Sequence, residues 1–419
     1  MSIHPSEHRA LRALASSNFA LGSMSYGVVG ALPALAHDWQ ISPGHVAWLV
    51  AAFSLTFAVG APTIQMLVGH LRRRTLLLAG LALTGLGTAG CALAPGFGWL
   101  VAFRVVAGLG AGAVSPLATA IGAGLVPAER QGRALAIVFV GVTLSSVISA
   151  PVSTWVAHVV GWRSVFALLA VLAFASAAWI ATVVDDASRG ARMAPSGLLA
   201  LLARPATAAG LGVVVSQTAA FFATYTLILP LLHGRFGASL AHGATALFVF
   251  GITGIVGNLI AQRASQHWGA DRLLYVATGV MVVVFVMLGV LGVVCAPVHS
   301  MNMGESGRGV TVFEYAAIAL LVVWALAQDL FYPSQLRRVV ALEPEHRGMV
   351  LALNSSGLFA GVAAGSSLGG RVADTVGLVW LAPTSAILTI LALAMLTISR
   401  RHVARRARTS NRLVAHPQI

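Results

Sequence analysis

Twelve strongly apolar stretches, each close to the roughly 20 residues that a helix needs to cross a bilayer, run through this chain of 419 residues. Residues 14–35, 46–68, 76–93, 134–156 and 376–398 are the clearest, and short breaks carrying Arg, Pro, Asp or His separate them. Hydrocarbon offers no water to backbone N–H and C=O groups, so such segments satisfy their hydrogen bonds internally, as helices. The composition agrees: 58% of residues are hydrophobic and 9% charged, with a mean hydropathy of +0.87, whereas a soluble domain carries about 25% charged residues. The expected fold class is an all-α membrane protein whose first partner is the lipid bilayer.

A net charge of +14 would suit nucleic acid, but the basic residues sit in short connectors and leave no globular basic domain to hold a duplex. Their placement speaks to orientation instead. All 26 basic residues are arginine, and 21 occupy one alternate set of connectors: Arg9, Arg12, Arg72, Arg73, Arg74, Arg130, Arg133, Arg189, Arg192, Arg204, Arg263, Arg272, Arg337, Arg338, Arg347 and six in the tail. The opposite set holds Arg163, Arg235, Arg308 and Arg371, and Arg104 is left inside a span. The positive-inside rule then places both termini in the cytoplasm of a cell whose inner (plasma) membrane holds the chain, which requires an even number of crossings. The tail arginines Arg400, Arg401, Arg405, Arg406, Arg408 and Arg412 read as an orientation signal that also meets anionic headgroups. The first stretch is too long for a signal-peptide core and lacks a small-residue cleavage site after it, so it is expected to stay as the first helix.

Shifting the sequence against itself by 216 residues places Gly132 on Gly348, Leu135 on Leu351, Ala136 on Ala352, Gly141 on Gly357 and Gly161 on Gly377; a shift of 217 places Pro116 on Pro333. Glycines, a proline and an Arg-bearing loop all register, so the chain reads as two related halves. Residues 1–184 and 205–399 are the expected six-helix units, joined by a cytoplasmic linker at 185–204 that includes DDASRGARMAP, with a basic cytoplasmic tail at 400–419. Cys91 and Cys295 lie near the outer ends of spans and read as packing residues unless those ends touch.

Ionisable groups inside spans are costly and usually functional. Two stand out: Arg104, several residues into the fourth span, and Asp329, in the WALAQDLFYP segment of the tenth. Each has a plainer explanation too, as a polar tie between helices. Uncharged hydrogen-bonding groups accompany them: Asn18, Ser23, Ser25 and Tyr26 in the first span, Gln217 and Tyr225 in the seventh, Asn258 in the eighth and Asn354 in the eleventh. The GLGAG run at Gly108, Gly110 and Gly112 lies within an apolar span rather than after a strand, so it reads as close helix packing. Ser146, Ala150 and Thr154 line one face of the fifth span beside Pro151, which weakens the local ladder and allows a bend. His37 and Asp38, where the first span ends, fit a gate at the outer face and a solvated loop start equally well. Walker loops, His-Glu-x-x-His pairs and nucleophile elbows are missing, and no segment is long enough for an enzyme domain. No cofactor and no metal site are expected.

Four segments carry a family resemblance: LPALAHDWQIS at 32–42, RVVAGLGAGAVSP at 104–116, PAERQGRALAIVFVG at 127–141 and APVSTWVAHVVGWRSVF at 150–166. The chain resembles the major facilitator superfamily transporters, specifically the twelve-span drug:proton antiporter branch that includes the arabinose-efflux-permease-like proteins. The resemblance implies the major facilitator fold, with twelve transmembrane helices in two pseudo-symmetric six-helix bundles, and a central cavity lined by helices one, four, seven and ten. It also implies export of small molecules against proton entry by alternating access. By match to the fourth-helix motif Arg104 would serve coupling, and Ala150 and Pro151 stand where the fifth-helix exporter motif has Gly-Pro. Two departures matter. The loop GHLRRRTLLLAG keeps Gly69 and the basic cluster Arg72, Arg73 and Arg74 but lacks the Asp of the family signature, and Ser25 stands where many relatives carry a Glu.

Asp329 then becomes the leading proton carrier, with Arg104 beside it in role. The substrate-cavity candidates are Asn18, Ser25, Tyr26, Gln217, Tyr225, Asn258 and Asn354; the gating candidates are Gly69, Arg72, Arg73, Arg74, Ala150 and Pro151. The expected cargo is a small neutral or amphipathic organic molecule such as a drug, sugar or amino-acid derivative. Phosphate esters are disfavoured because a single Arg is buried. Each chain is expected to work as a monomer. The competing readings are a proton-independent facilitator or importer and, from another class, a polytopic membrane enzyme or sensor.

Overall fold

The computed structural model of the chain describes residues 5–190, 195–301 and 308–415. Arg192 and residues 416–419 of the tail lie outside the described residues, as do the side chains of Arg308, Arg406, Arg408 and Arg412. Among the described residues, twelve helices are long and apolar enough to cross a membrane. They are α1 (Pro5–Asp38), α2 (Pro43–Val68), α3 (Arg73–Leu93), α4 (Phe97–Gly124), α5 (Gln131–Val159), α6 (Trp162–Val183), α7 (Pro205–Tyr225), α8 (Ala241–Ala261), α9 (Ala270–Cys295), α10 (Val312–Leu342), α11 (Pro344–Thr375) and α12 (Leu378–Arg405). With twelve alternating crossings the arginine-rich connectors gather at one end, the arginine-rich face, and the remaining connectors form the arginine-poor face.

The two halves repeat in structure as they do in sequence. Gly161 precedes α6 with φ 102° and Gly377 precedes α12 with φ 98°, a backbone that an L side chain adopts only under strain. Pro116 and Pro333 lie inside α4 and α10. Gly141 packs against Ala15 and Phe19 of α1, and its partner Gly357 against Leu211, Val214 and Val215 of α7.

Small residues let helices approach closely where lipid supplies no hydrophobic drive between them. In the first bundle Gly22 packs on Ser145, Gly27 on Ser149 and Ser153, and Gly30 on Ala150 and Thr154, and Ser23 and Ser149 share a 2.7 Å hydrogen bond. Ala150 and Thr154 therefore face α1, while Ser146 lies against Gly251 of α8, so the expected single seam on α5 serves two neighbours. The GLGAG run does pack as expected: Gly108 meets Phe53, Gly110 meets Gly80 and Thr84, and Gly112 meets Gly60 and Ala61. In the second bundle Gly361, Gly365 and Gly369 lie on Val215, Ala219 and Ala223 of α7. Large apolar side chains such as Leu55, Trp155, Val290 and Ile387 are exposed around the outside, as a lipid-facing surface requires.

The chain between the bundles is more ordered than a simple linker. A short helix, Pro195–Leu202, lies within it, and ahead of that helix Arg72 and Arg189 form an isolated antiparallel bridge. The helix of α12 also continues through Ala415, so the first part of the basic tail extends the last span. Cys91 and Cys295 are buried free thiols, set against the carbonyls of Leu100 and Arg235 respectively.

Candidate functional site

Among the described residues the bundles meet at α2 with α11, α5 with α8 and α1 with α7. At the arginine-poor face the Asp374 carboxylate, at the end of α11, accepts from Ser42 Oγ at 2.9 Å and from the Gly44 amide at 3.2 Å. It thereby satisfies a donor at the start of α2 that the helix itself leaves free. Gly44 and Gly370 face each other so closely that a Cβ on either would strike the carbonyl of the other. Deeper along the same pair, Phe57 stacks on Phe359 at 3.6 Å between centroids. Between α5 and α8, Gly251 sits on Ser146 and Val147. Between α1 and α7, the ring of Tyr26 lies 6.3 Å from Phe222 and 6.0 Å from Tyr225.

Tyr225 joins a packed cluster of aromatic rings in the second bundle. Trp324 is its hub, with Phe221, Phe250 and Phe285 at 5.1, 5.4 and 4.8 Å. Asp329 lies one turn further along α10. It is half-buried, and its carboxylate rests over Gly254 and Gly257 of α8, where an added side chain would collide with it. Tyr26 and Tyr332 are within its electrostatic reach. Among the described residues it forms no ion pair, an arrangement that is expensive away from water.

Arg104 is held elsewhere. It is 0% exposed, donates from Nε to Leu49 O at 3.0 Å and from Nη2 to Met24 O at 3.2 Å, and stacks 4.1 Å over the ring of Phe53. It ties α1, α2 and α4 together, and Asp329 is not among its contacts. Asn18 donates to Val138 O at 3.1 Å, a tie from α1 to α5, and Gln217 donates to Met281 Sδ at 3.0 Å, a tie from α7 to α9. Ser25 and Asn354 are buried, with no protein partner for Oγ and Oδ1 among the described residues, and Asn258 is half-buried on α8. The structure thus brings Tyr26 and Tyr225 into ring contact and leaves Asp329 within electrostatic reach of Tyr26, while Arg104, Asn18 and Gln217 are held in separate helix ties.

The gating candidates are placed as follows. Arg73 N donates to Ser188 O at 3.0 Å, and Gly190 packs on Gly69, so the loop between α2 and α3 is bound by the linker backbone. Arg74 reaches Ala181 O at 2.5 Å near the end of α6. Ala150 and Pro151 lie on α5, with Ala150 fully buried against α1. The expectation of a single buried arginine is corrected: Arg338 is 5% exposed, because Asp271 at 2.6 Å and Ser399 at 2.9 Å receive it inside the second bundle.

A cavity of about 900 Å3 opens between the bundles at the arginine-poor face, lined by His37, Asp38, His158 and Arg163 from one half and by Leu229 and His233 from the other. Asp38 is not free within it. Trp162 Nε1 donates to its carboxylate at 2.9 Å and Arg163 approaches at 3.5 Å, while Trp39 packs edge-on against Trp162 at 4.9 Å. The Gly-Trp-Arg segment therefore fastens the end of α1 to the start of α6.

Sequence reasoning missed Thr218, Phe222, Trp324, Gln328, Tyr332 and Asp374. Trp324, Gln328 and Tyr332 were within reach, since spacings of four place them on one face of a helix. Nothing local marks Asp374, whose partners are more than three hundred residues away in sequence.

Comparison with known proteins follows this geometry. The family model of the Major Facilitator Superfamily matches residues 14–304. The inner membrane transport protein YdhP of Escherichia coli strain K12 is 28% identical over 93% of this chain and 96% of its own. A chloramphenicol resistance protein of Streptomyces lividans is 30% identical over 62% of this chain and 67% of its own. The crystal structure of a D-xylose-proton symporter superimposes with a TM-score of 0.71 at 16% identity, covering 92% of this chain and 96% of that one. Twelve apolar helices among the described residues, arranged in two repeated bundles, and a family match over most of its length make this chain a multi-pass membrane protein of the Major Facilitator Superfamily.

Proposed function

We propose that the chain is a secondary active transporter of the bacterial inner membrane that exports a small organic molecule by alternating access in exchange for protons. Its arginine-rich face and both termini lie in the cytoplasm, in line with the positive-inside rule. The observation that carries the reading is Asp329: one carboxylate without an ion pair among the described residues, held over Gly254 and Gly257 of α8 and within electrostatic reach of Tyr26 of the opposite half. A carboxylate so placed can take a proton in one conformation and release it in the other.

Arg104 supports coupling at a distance, by holding α1, and with it Tyr26, in register against α2 and α4. The aromatic lining favours neutral or amphipathic cargo such as a drug, sugar or amino-acid derivative. Export is favoured by the resistance protein among the relatives. Each chain encloses its own pathway and works as a monomer. The loop carrying Gly69, Arg72, Arg73 and Arg74 moves with the linker that binds it, and Ala150 and Pro151 set the bend of α5.

Counterflow of labelled compounds in proteoliposomes tests the reading. Asp329→Asn should abolish the response to an imposed proton gradient while exchange of label continues. PH dependence that survives the substitution rejects Asp329, and transport that ignores the gradient in the unaltered chain leaves a proton-independent facilitator.

A further inference from the structure

The second bundle contains polar groups that the site above does not use. Along α10, Trp324, Gln328, Phe331, Gln335 and Arg338 follow spacings of four, three, four and three, and so form one inward stripe. All five are at most 5% exposed. Gln335 Nε2 donates to Gly210 O of α7 at 2.7 Å, and Arg338 meets Asp271 of α9 and Ser399 of α12. On the neighbouring helices, Gln217 of α7 reaches Met281 of α9, and Thr278 lies one turn from Met281 on α9.

What separates this stripe from ordinary interhelical bonding is what it leaves unpaired. Among the described residues, Gln217 Oε1, Thr278 Oγ1, Trp324 Nε1, Gln335 Oε1 and Arg338 Nη1 are buried without a protein partner, while the Gln328 amide has the Tyr332 hydroxyl as its partner. Each such group costs about 1–3 kcal/mol if nothing meets it. Native proteins fill sites of this kind with water making about three hydrogen bonds. The column begins at Asp271, whose side chain is 40% exposed at the arginine-rich face. At about 100° per residue, Tyr332 falls between Gln328 and Asp329 around α10. Its hydroxyl shares a 3.3 Å hydrogen bond with Thr218, the neighbour of Gln217.

We propose that the interior of the second bundle holds a column of bound water, ligated by Gln217, Thr278, Gln328, Gln335 and Arg338, that carries protons between the arginine-rich face and Asp329. Each hop breaks one O–H bond and forms another. One proton enters beside Asp271 and one arrives on the Asp329 carboxylate, with the column unchanged. The proton thus travels inside a bundle while cargo occupies the gap between bundles. The delivery to Asp329 deepens the exporter reading, but its test does not use transport.

Radiolytic hydroxyl footprinting of the full chain in lipid nanodiscs reads the water directly. Met281 is 0% exposed and Met287 is 53% exposed on the lipid side of the same helix. Water beside Met281 reverses the order that exposure predicts, with Met281 oxidised on the order of tenfold faster than Met287. Met281 oxidised no faster than Met287 overturns the proposal. Gln217→Leu combined with Gln328→Leu should reduce Met281 oxidation to the rate of Met287, and the unaltered chain alone decides if that variant fails to fold. The second readout is the infrared band of the protonated Asp329 carboxyl, isolated by subtracting Asp329→Asn at acid pH. On mixing into D2O it should shift on the order of tenfold more slowly in the double variant. An unchanged exchange rate means that protons reach Asp329 through the gap between the bundles, and the proposal fails.

Discussion

Removing the carboxylate at position 374 should shift the transporter toward opening at the arginine-poor face. Asp374 touches two groups of α2, Ser42 Oγ and the Gly44 amide, and both bonds cross from one bundle to the other. Ser42 also accepts from the His45 amide, so the local cap of α2 survives Asp374→Ala. What is lost is one acceptor for the Gly44 amide, one for the Ser42 hydroxyl, and a negative charge at a helix start. Capping bonds are worth about 1 kcal/mol and a charge at a helix N-terminus about 0.3–1 kcal/mol. Asp374 is exposed, which screens both, so a net loss of about 1 kcal/mol is the reasonable figure, or roughly a fivefold change in the ratio of open to closed. Spin labels introduced by His158→Cys and Ser239→Cys, on opposite banks of the cavity in a chain carrying Cys91→Ser and Cys295→Ser, report that ratio as a distance distribution. The long-distance population should rise about fivefold in Asp374→Ala and less in Asp374→Asn, which keeps an acceptor oxygen. An unchanged distribution in Asp374→Ala would refute the latch.

Other substitutions probe the elements around it. Gly161→Ala, at φ 102°, should cost about 1–2 kcal/mol and lower the unfolding midpoint in detergent, and Gly377→Ala should do the same in the other half. Asp38→Ala leaves Trp162 Nε1 and Arg163 without their shared acceptor, and a drop of about 1 kcal/mol should appear in the same melt without a change in helix content. Gly254→Val displaces the Asp329 carboxylate, so proton-gradient dependence should weaken in proteoliposomes while circular dichroism stays the same. Gly251→Leu drives a side chain into Val147 of α5 and should widen the labelled gap between α5 and α8.

How far the fold was legible follows from which forces act locally. Each span announced itself because lipid demands a long apolar helix whatever its neighbours. The repeat was visible because Gly161 and Gly377 each answer a local need for a backbone that other residues resist. The Gly-Trp-Arg segment was recognised as a motif, but its job of fastening Asp38 and Trp39 became clear only when α1 and α6 were seen side by side. Asp329 could be picked out because a charge inside a span is rare; its setting over Gly254 and Gly257 could not. Arg104 was selected on the same ground, and its carbonyl partners turned out to lie within its own bundle.

The amino-acid order alone determined that this chain lives in lipid as twelve helices in two related halves, because hydropathy, charge asymmetry and glycine placement act over one or two turns. Tertiary structure alone decided which polar groups share a space. Asp374 finds Ser42, Tyr26 finds Tyr225, and Gln217 finds Met281 only after helices far apart in sequence pack together. Hydrogen bonds and ring contacts act over a few ångströms, and the spacing of residues within one helix carries no information about which other helix will stand opposite.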